Sequence, residues 1–169
     1  MLVARRGVEQ THDTVCFGSI TVQVITLEPM AKEESAFEFA FRAKKEALGP
    51  HVAVKWGWDD AIQRRVHAER WATRSFFRIV VDGVSAGTVA IDDAPTHVRF
   101  SEFYLLPAFQ RKGTGSKVLA SVVERSTEKG LPVRLECIKW NPALSLYMRT
   151  GFVITGESDT HYCMERAAA

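Results

Sequence analysis

Two glycines, Gly113 and Gly115, lie in a turn between a strand-like run and an apolar helical run, and Arg111 and Lys112 stand just before them. Glycine lets a backbone curl closely around a ligand, and the unbonded N–H groups at a helix start point toward an anion. Residues 107–117 therefore have the composition of a pyrophosphate cradle with two cationic side chains beside it. Spacing excludes two other phosphate loops. A Walker A loop requires Gly-Lys-Ser/Thr, whereas here Lys112 precedes Gly113, and Gly115 is followed by Ser116. The dinucleotide fingerprint requires a third glycine where Val118 stands. The structural alternative is a glycine-rich turn that only caps a helix.

The elements that must hold this turn follow from periodicity. Residues 20–27 alternate with β-branched side chains and predict a strand. Pro29 then opens a predicted helix in which Phe37, Phe41 and Leu48 recur at helical spacing, and Gly49-Pro50 is expected to stop it. Residues 51–58 read as a loop, after which Asp59 is suited to cap a second helix reaching about Trp71, with Ile62 and Val66 on one face. Residues 76–81 and 84–91 are apolar runs joined at Asp82-Gly83, a hairpin signal because a tight turn needs residues that tolerate positive φ. A strand is expected over 98–106, a helix over 115–129, a strand over 133–138 and a helix from Asn141 to Gly151. Residues 152–156 and 161–165 complete the series as a strand pair. Consecutive strands followed by alternating helices and strands imply an α/β (α+β) class with at least one parallel crossover.

At 169 residues and 46% hydrophobic content, the chain supports one domain with one core. The expected division is a loose N-terminal extension over residues 1–18, one domain over 19–166 and a tail over 167–169. With 22 basic and 20 acidic residues spread along the chain, the net charge of +2 points to no nucleic-acid partner. No run of about 18 apolar residues occurs, so no membrane span is expected, and the start lacks the long apolar stretch of a secretion signal. Cys16, Cys137 and Cys163 are odd in number and widely spaced, which fits a reducing cytoplasm and no metal site. Cys137 lies mid-strand between apolar neighbours and reads as an inert core thiol, not a nucleophile.

Gln110-x-x-Gly113-x-Gly115 resembles the Gln/Arg-x-x-Gly-x-Gly/Ala signature of the GCN5-related N-acetyltransferases (GNAT family), and residues 103–107 look like that family's strand end. Further on, Asn141 to the Gly151-Phe152 pair resembles its second signature, a helix closing in Gly-Phe. Both motifs occur in the family's order, and the resemblance covers roughly residues 19–166. Ala108 departs from it, standing where an acidic residue is common. The resemblance implies the GNAT fold, a central mixed, mostly antiparallel sheet of six to seven strands with about four flanking helices and parallel strands splayed at the cofactor site. It also implies acetyl-CoA as cosubstrate.

By the same resemblance, backbone groups at Leu105 meet the pantetheine arm and thioester, while Gln110 and the backbone of Arg111, Lys112, Gly113, Thr114, Gly115 and Ser116 hold the pyrophosphate. Asn141 contacts the cofactor in such enzymes, and it also suits the N-cap of the last helix, with Pro142 following; the two roles are compatible. Tyr147 stands where the family often carries a tyrosine that protonates the departing thiolate, with packing on the sheet as its structural alternative. The implied reaction is direct attack of a neutral primary amine on the acetyl thioester in a ternary complex, without a covalent enzyme intermediate. Glu102, and after it Glu136, are candidate bases, because burial near the splay raises a carboxylate's pKa; a water relay to another carboxylate is the alternative. Trp56, Trp58 and Asp59 are expected to form the acceptor site, since indole faces attract cations and a carboxylate attracts ammonium, although both tryptophans would serve equally as core anchors. The expected partner is a small-molecule or protein amine, and the expected state a monomer or homodimer. A catalytically inactive acyl-CoA-binding sensor of the same fold is the competing function, separated from an enzyme by turnover.

Overall fold

Seven of the runs rich in β-branched and aromatic residues pair into one sheet in the computed structural model, which describes residues 22–168. In chain order the elements are β1 (Ile25–Pro29), α1 (Glu34–Trp56), α2 (Asp60–Thr73), β2 (Phe76–Val81), β3 (Val84–Asp93) and β4 (Val98–Leu105), followed by a 3-10 turn at Pro107–Phe109. Then come α3 (Thr114–Lys129), β5 (Val133–Ile138), α4 (Ala143–Arg149), β6 (Val153–Glu157) and β7 (His161–Arg166). The spatial order is β1-β2-β3-β4-β5-β7-β6, and the β4–β5 pair alone is parallel. The mixed, mostly antiparallel sheet with four helices agrees with the expected class. Asp82 and Gly83 take positive φ values of 49° and 81°, as a tight hairpin with right-handed strand twist requires. Among the described residues, no helix is long and apolar enough to cross a membrane.

One face of the sheet is closed by α3, which sinks Val118, Leu119 and Val122 into the core at 1%, 0% and 1% exposure. Each such burial is worth about 2 kcal/mol. Phe100, Ile79, Val98 and Met164 fill the sheet side of the same cluster.

The first helix departs from expectation. It continues through Gly49 and Pro50 to Trp56 instead of stopping, although an interior proline costs about 3 kcal/mol through a lost hydrogen bond and a steric clash. Tertiary contacts offset that cost. The Trp58 indole packs 3.5 Å from where a Gly49 Cβ would stand, Val52 is buried, and the Trp140 indole N–H donates to the His51 carbonyl at 2.9 Å. Pro29 ends β1 and does not open the helix. The second helix buries His67 and Trp71, whereas Ile62 is half exposed at its start, so its inward face is rotated from the expected Ile62–Val66 stripe. The expected extension over residues 1–18 and the first part of the predicted first strand lie outside the described residues.

His67 is wholly buried, with its ring 4.9 Å from Phe37, 5.5 Å from Phe41 and 5.7 Å from Phe76. Burial first, then the nearby Lys44 charge, lowers its pKa to about 4. A neutral imidazole in the fold and a protonated one in the unfolded chain make folding stability fall as pH drops from about 6.5 toward about 4. The expected loss is about 3 kcal/mol. Urea unfolding of wild type and His67→Leu across that window checks it, the variant being expected to show the shallower pH dependence.

Candidate active site

A wedge opens between β4 and β5. The two strands are paired only at Val98–Val133 and Arg99–Arg134. Beyond that, β5 follows β7 through six paired positions up to Ile138–His161, while β4 stays with β3. A bulge in β4 accompanies the divergence. Thr88 faces Tyr104 and Ala90 faces Ser101, so Glu102 and Phe103 oppose the single residue Val89. Glu102 takes φ 48°, a left-handed conformation that non-glycine residues seldom adopt. At the strand's end, Gly87 opposes Leu105, and a Cβ there would lie 2.0 Å from the Tyr104 carbonyl oxygen, so only glycine permits this close approach.

The wedge separates two clefts of about 680 and 610 Å³. Leu48, Phe103, Tyr104 and Asn141 line both, marking the junction between them.

The larger cleft faces the glycine loop. Among the described residues, no backbone carbonyl accepts from the amides of Arg111 to Ser116, and the first return bond of α3 runs from Lys117 N–H to the Gly113 carbonyl at 3.2 Å. Arg111 and Gly113 take φ 58° and 79°, which curls these amides into a concave nest for an anion. Open space surrounds the Gly113 Cα, and Gly115 lets the first turn of α3 close on Leu146, 3.2 Å from a Cβ built there. Arg111, Gly113, Gly115 and Ser116 line the cleft, as does Gln110. Lys112 is exposed outside this lining, and Thr114 is buried beneath it with no hydrogen-bond partner for its hydroxyl among the described residues. Gln110 donates its side-chain amide to the Leu105 carbonyl at 2.8 Å, tying the loop to the strand end. The Leu106 N–H bonds Ala86 and the Tyr104 carbonyl lies over Gly87, both toward β3; strand alternation therefore turns the backbone groups of Leu105 into the wedge. Asn141 Oδ1 accepts from the Ala143 N–H at 2.9 Å, a cap for α4, at the junction of the two clefts.

The smaller cleft, between the sheet and the α1–α2 pair, holds Glu102, Glu136 and Tyr147. Burial raises the Glu102 pKa, opposed by the charges of Lys44 and Arg70 and by the Tyr104 hydroxyl, which donates to Glu102 Oε2 at 3.3 Å. Burial and then the Glu102 charge hold the Tyr104 phenol protonated well past neutral pH. Tyr147 is 7% exposed between Phe100 and Phe152, and burial likewise raises its pKa. Glu136 is exposed on β5, opposite Cys163. Cys137 is buried and its thiol is pushed up to about 11 by burial, consistent with an inert core residue. Trp56 lines this cleft, held edge-on to Trp140 at 5.0 Å. Trp58 and Asp59 are not brought to it. Trp58 packs on Gly49 and donates to Asp60 at 3.1 Å, and Asp59 caps α2 through the Ile62 N–H at 2.9 Å.

Among the cleft residues that escaped the sequence reading are Lys44, Arg70 and Tyr104. A signal existed for Lys44, which falls in the apolar stripe of α1 with Phe37, Phe41 and Leu48.

A split sheet with an anion cradle on one side of the split and titratable side chains on the other is the architecture of an acyl-CoA-dependent transferase. The chain belongs to the GNAT acetyltransferase family, whose sequence pattern, "Acetyltransferase (GNAT) family", matches residues 34–152. Solved structures share the fold. The PaiA N-acetyltransferase from Thermoplasma acidophilum in complex with coenzyme A aligns with TM-score 0.69 at 16% identity, over 85% of this chain and 99% of that one. The ribosomal-protein-S18-alanine N-acetyltransferase from Escherichia coli aligns with TM-score 0.63 at 17% identity, over 88% and 95% of the two chains. No curated protein matches the sequence. The family's cosubstrate is acetyl-CoA, and the open nest at residues 111–116 with its unbonded amides fits an anionic pyrophosphate.

Proposed function

We propose that this protein is an N-acetyltransferase that acetylates a primary amine by direct attack within a ternary complex. The observation that carries this reading is the junction of the two clefts, where a half-buried carboxylate and protonated phenols meet the wall of the cradle-bearing cleft. Acetyl-CoA supplies an acetyl group activated as a thioester. Leu105, through its backbone groups in the wedge, orients the thioester arm, and the nest from Arg111 to Ser116 holds the pyrophosphate. Gln110 and Asn141 fix the loop and the junction through their bonds to Leu105 and Ala143. Glu102 takes the amine's proton, its raised pKa making it a stronger base than an ordinary carboxylate. Tyr147, still protonated at neutral pH, gives its hydroxyl proton to the departing sulfur. Glu136 on the neighbouring strand is the second candidate base, and Trp56 forms part of the acceptor wall.

The test is free-thiol release from acetyl-CoA with a panel of primary amines, run on wild type, Tyr147→Phe and Tyr104→Phe. At least one amine is expected to drive release, and Tyr147→Phe is expected to lower that turnover about 10- to 1,000-fold with little change in acetyl-CoA affinity. Acetyl-CoA binding without release from any amine would overturn the enzymatic reading. Undiminished turnover in Tyr147→Phe, with a loss in Tyr104→Phe, would move the acid to Tyr104.

A further inference from the structure

The charges around the smaller cleft are unlike those of a site that attracts a cation. Lys44, Arg70, Arg74, Arg99 and Arg134 line it, against two carboxylates, Glu102 and Glu136. Two of the five cations are already engaged, because Arg134 bonds Glu165 at 2.6 Å and Arg74 lies 3.9 Å from Asp92. Among the described residues, Lys44, Arg70 and Arg99 have no carboxylate within 4.0 Å. Lys44 is the most informative of them. Only 4% of it is exposed, it projects from the apolar stripe of α1, and its ammonium has no hydrogen-bond acceptor among the described residues. The ammonium opens onto the cleft, and its nearest balancing charge, Glu102, lies beyond ion-pair distance, so a ligand that brings an anionic group there gives it a hydrogen-bonded counter-ion. Arg70, on the last turn of α2, acts on Lys44 as a second positive charge and on Glu102 as a favourable one, which places all three groups around one space.

Resting on the N-acetyltransfer reading, we propose that the acceptor is an anionic amine, whose carboxylate or phosphate is held by Lys44 and Arg70 while its nitrogen faces Glu102. The expectation of a cation-attracting acceptor site drew on Trp56, Trp58 and Asp59 together, and the last two lie outside the cleft. A positive cleft also disfavours the ammonium form of a bound amine, which leaves the nitrogen lone pair free for attack and leaves Glu102 less work to do. The bond from the amine nitrogen to the acetyl carbon forms as the acetyl carbon–sulfur bond breaks, one amine proton passes to Glu102, and the departing thiolate takes the Tyr147 hydroxyl proton and leaves as a thiol. A free amino acid or a phosphorylated amine meets these requirements, and a polyamine does not.

The experiment uses matched pairs: α-amino acids against their amides, phosphoethanolamine against ethanolamine, and spermidine as the cationic control. Each is scored by thiol release with acetyl-CoA and, separately, by calorimetric binding to CoA-loaded protein, which reads the cleft whether or not acetyl is transferred. The anionic member of a pair is expected to lead by about 10- to 100-fold in kcat/KM or affinity, the scale of a hydrogen bond to a charged group. Which pair shows the larger ratio separates carboxylate from phosphate. In Lys44→Met, which keeps the buried stem, and in the more exposed Arg70→Gln, that ratio is expected to fall toward one while acetyl-CoA binding stays unchanged. Binding of anionic amines without turnover would sink the enzymatic reading and keep this one. Equal or better use of the neutral members or of spermidine, or an equal loss on every amine in Lys44→Met and Arg70→Gln, would overturn it. Silence of all pairs in both assays would overturn it too.

Discussion

Glu102→Gln will lower turnover by about 100- to 10,000-fold while leaving the acetyl-CoA melting shift in place, the range typical of losing a positioned general base. Glutamine keeps the shape and the left-handed φ of 48° at the bulge as well as glutamate does, so the strand wedge and the Tyr104 contact survive the change. Only the proton acceptor is removed. The pH profile makes the test sharper. In wild type the active carboxylate is present above the Glu102 pKa and is lost as pH falls through it; because burial raises that pKa above 4.5, the acidic limb lies at higher pH than for an ordinary glutamate. In Glu102→Gln this limb should disappear from the residual rate. Glu136→Gln is the internal comparison, since that side chain lines the same cleft from β5 but is solvent-exposed. Full activity in Glu102→Gln combined with a loss in Glu136→Gln would hand the base to β5, and loss in neither would leave proton removal to water.

The turn at residues 107–117 was legible in the sequence because its geometry is written in residue types: two glycines, a strand in and an apolar helix out. The Asp82-Gly83 hairpin was legible for the same reason, as each of its two residues tolerates the φ it adopts. The bulge at Glu102 was not. Nothing in a glutamate announces a left-handed conformation, and the two-residue offset against Val89 exists only once β3 and β4 are paired. Pro50 misled for the opposite reason. Its local signal is strong, but the Trp58–Gly49 contact and the Trp140–His51 bond that outweigh it join residues up to 89 positions apart. The continued helix matters for the site, because its added turns carry His51 into the lining of the larger cleft and Val52 and Trp56 into that of the smaller one. Lys44 was visible as a charge in an apolar stripe, yet a long lysine stem at such a position often runs out to water, so the stripe alone did not mark it as a cleft residue.

The cradle is tested most directly by Gly113→Glu. At a saturation of about 100 times Kd, a ligand that binds only the folded state adds about 2.7 kcal/mol of stability. For a chain of this size that corresponds to a melting rise of roughly 5–10 °C, expected for wild type with acetyl-CoA. Gly113 sits at φ 79° in the cap of α3, where any side chain pays a left-handed strain of about 1–2 kcal/mol. A loss of binding in Gly113→Glu could therefore come from strain or from charge, and Gly113→Ala separates them. Open space surrounds the position, so alanine adds the strain without contacting anything within 4 Å. The alanine variant is expected to melt lower than wild type but to retain most of its acetyl-CoA shift. The glutamate variant is expected to melt at a similar lowered temperature and show no shift, because its carboxylate occupies the nest formed by the amides of residues 111–116 and repels the pyrophosphate. A wild-type shift in folded Gly113→Glu would place the pyrophosphate elsewhere and leave this loop a helix cap. Loss of the shift in both variants would mean that the exact curl of the loop, and not the sign of the charge inside it, governs binding.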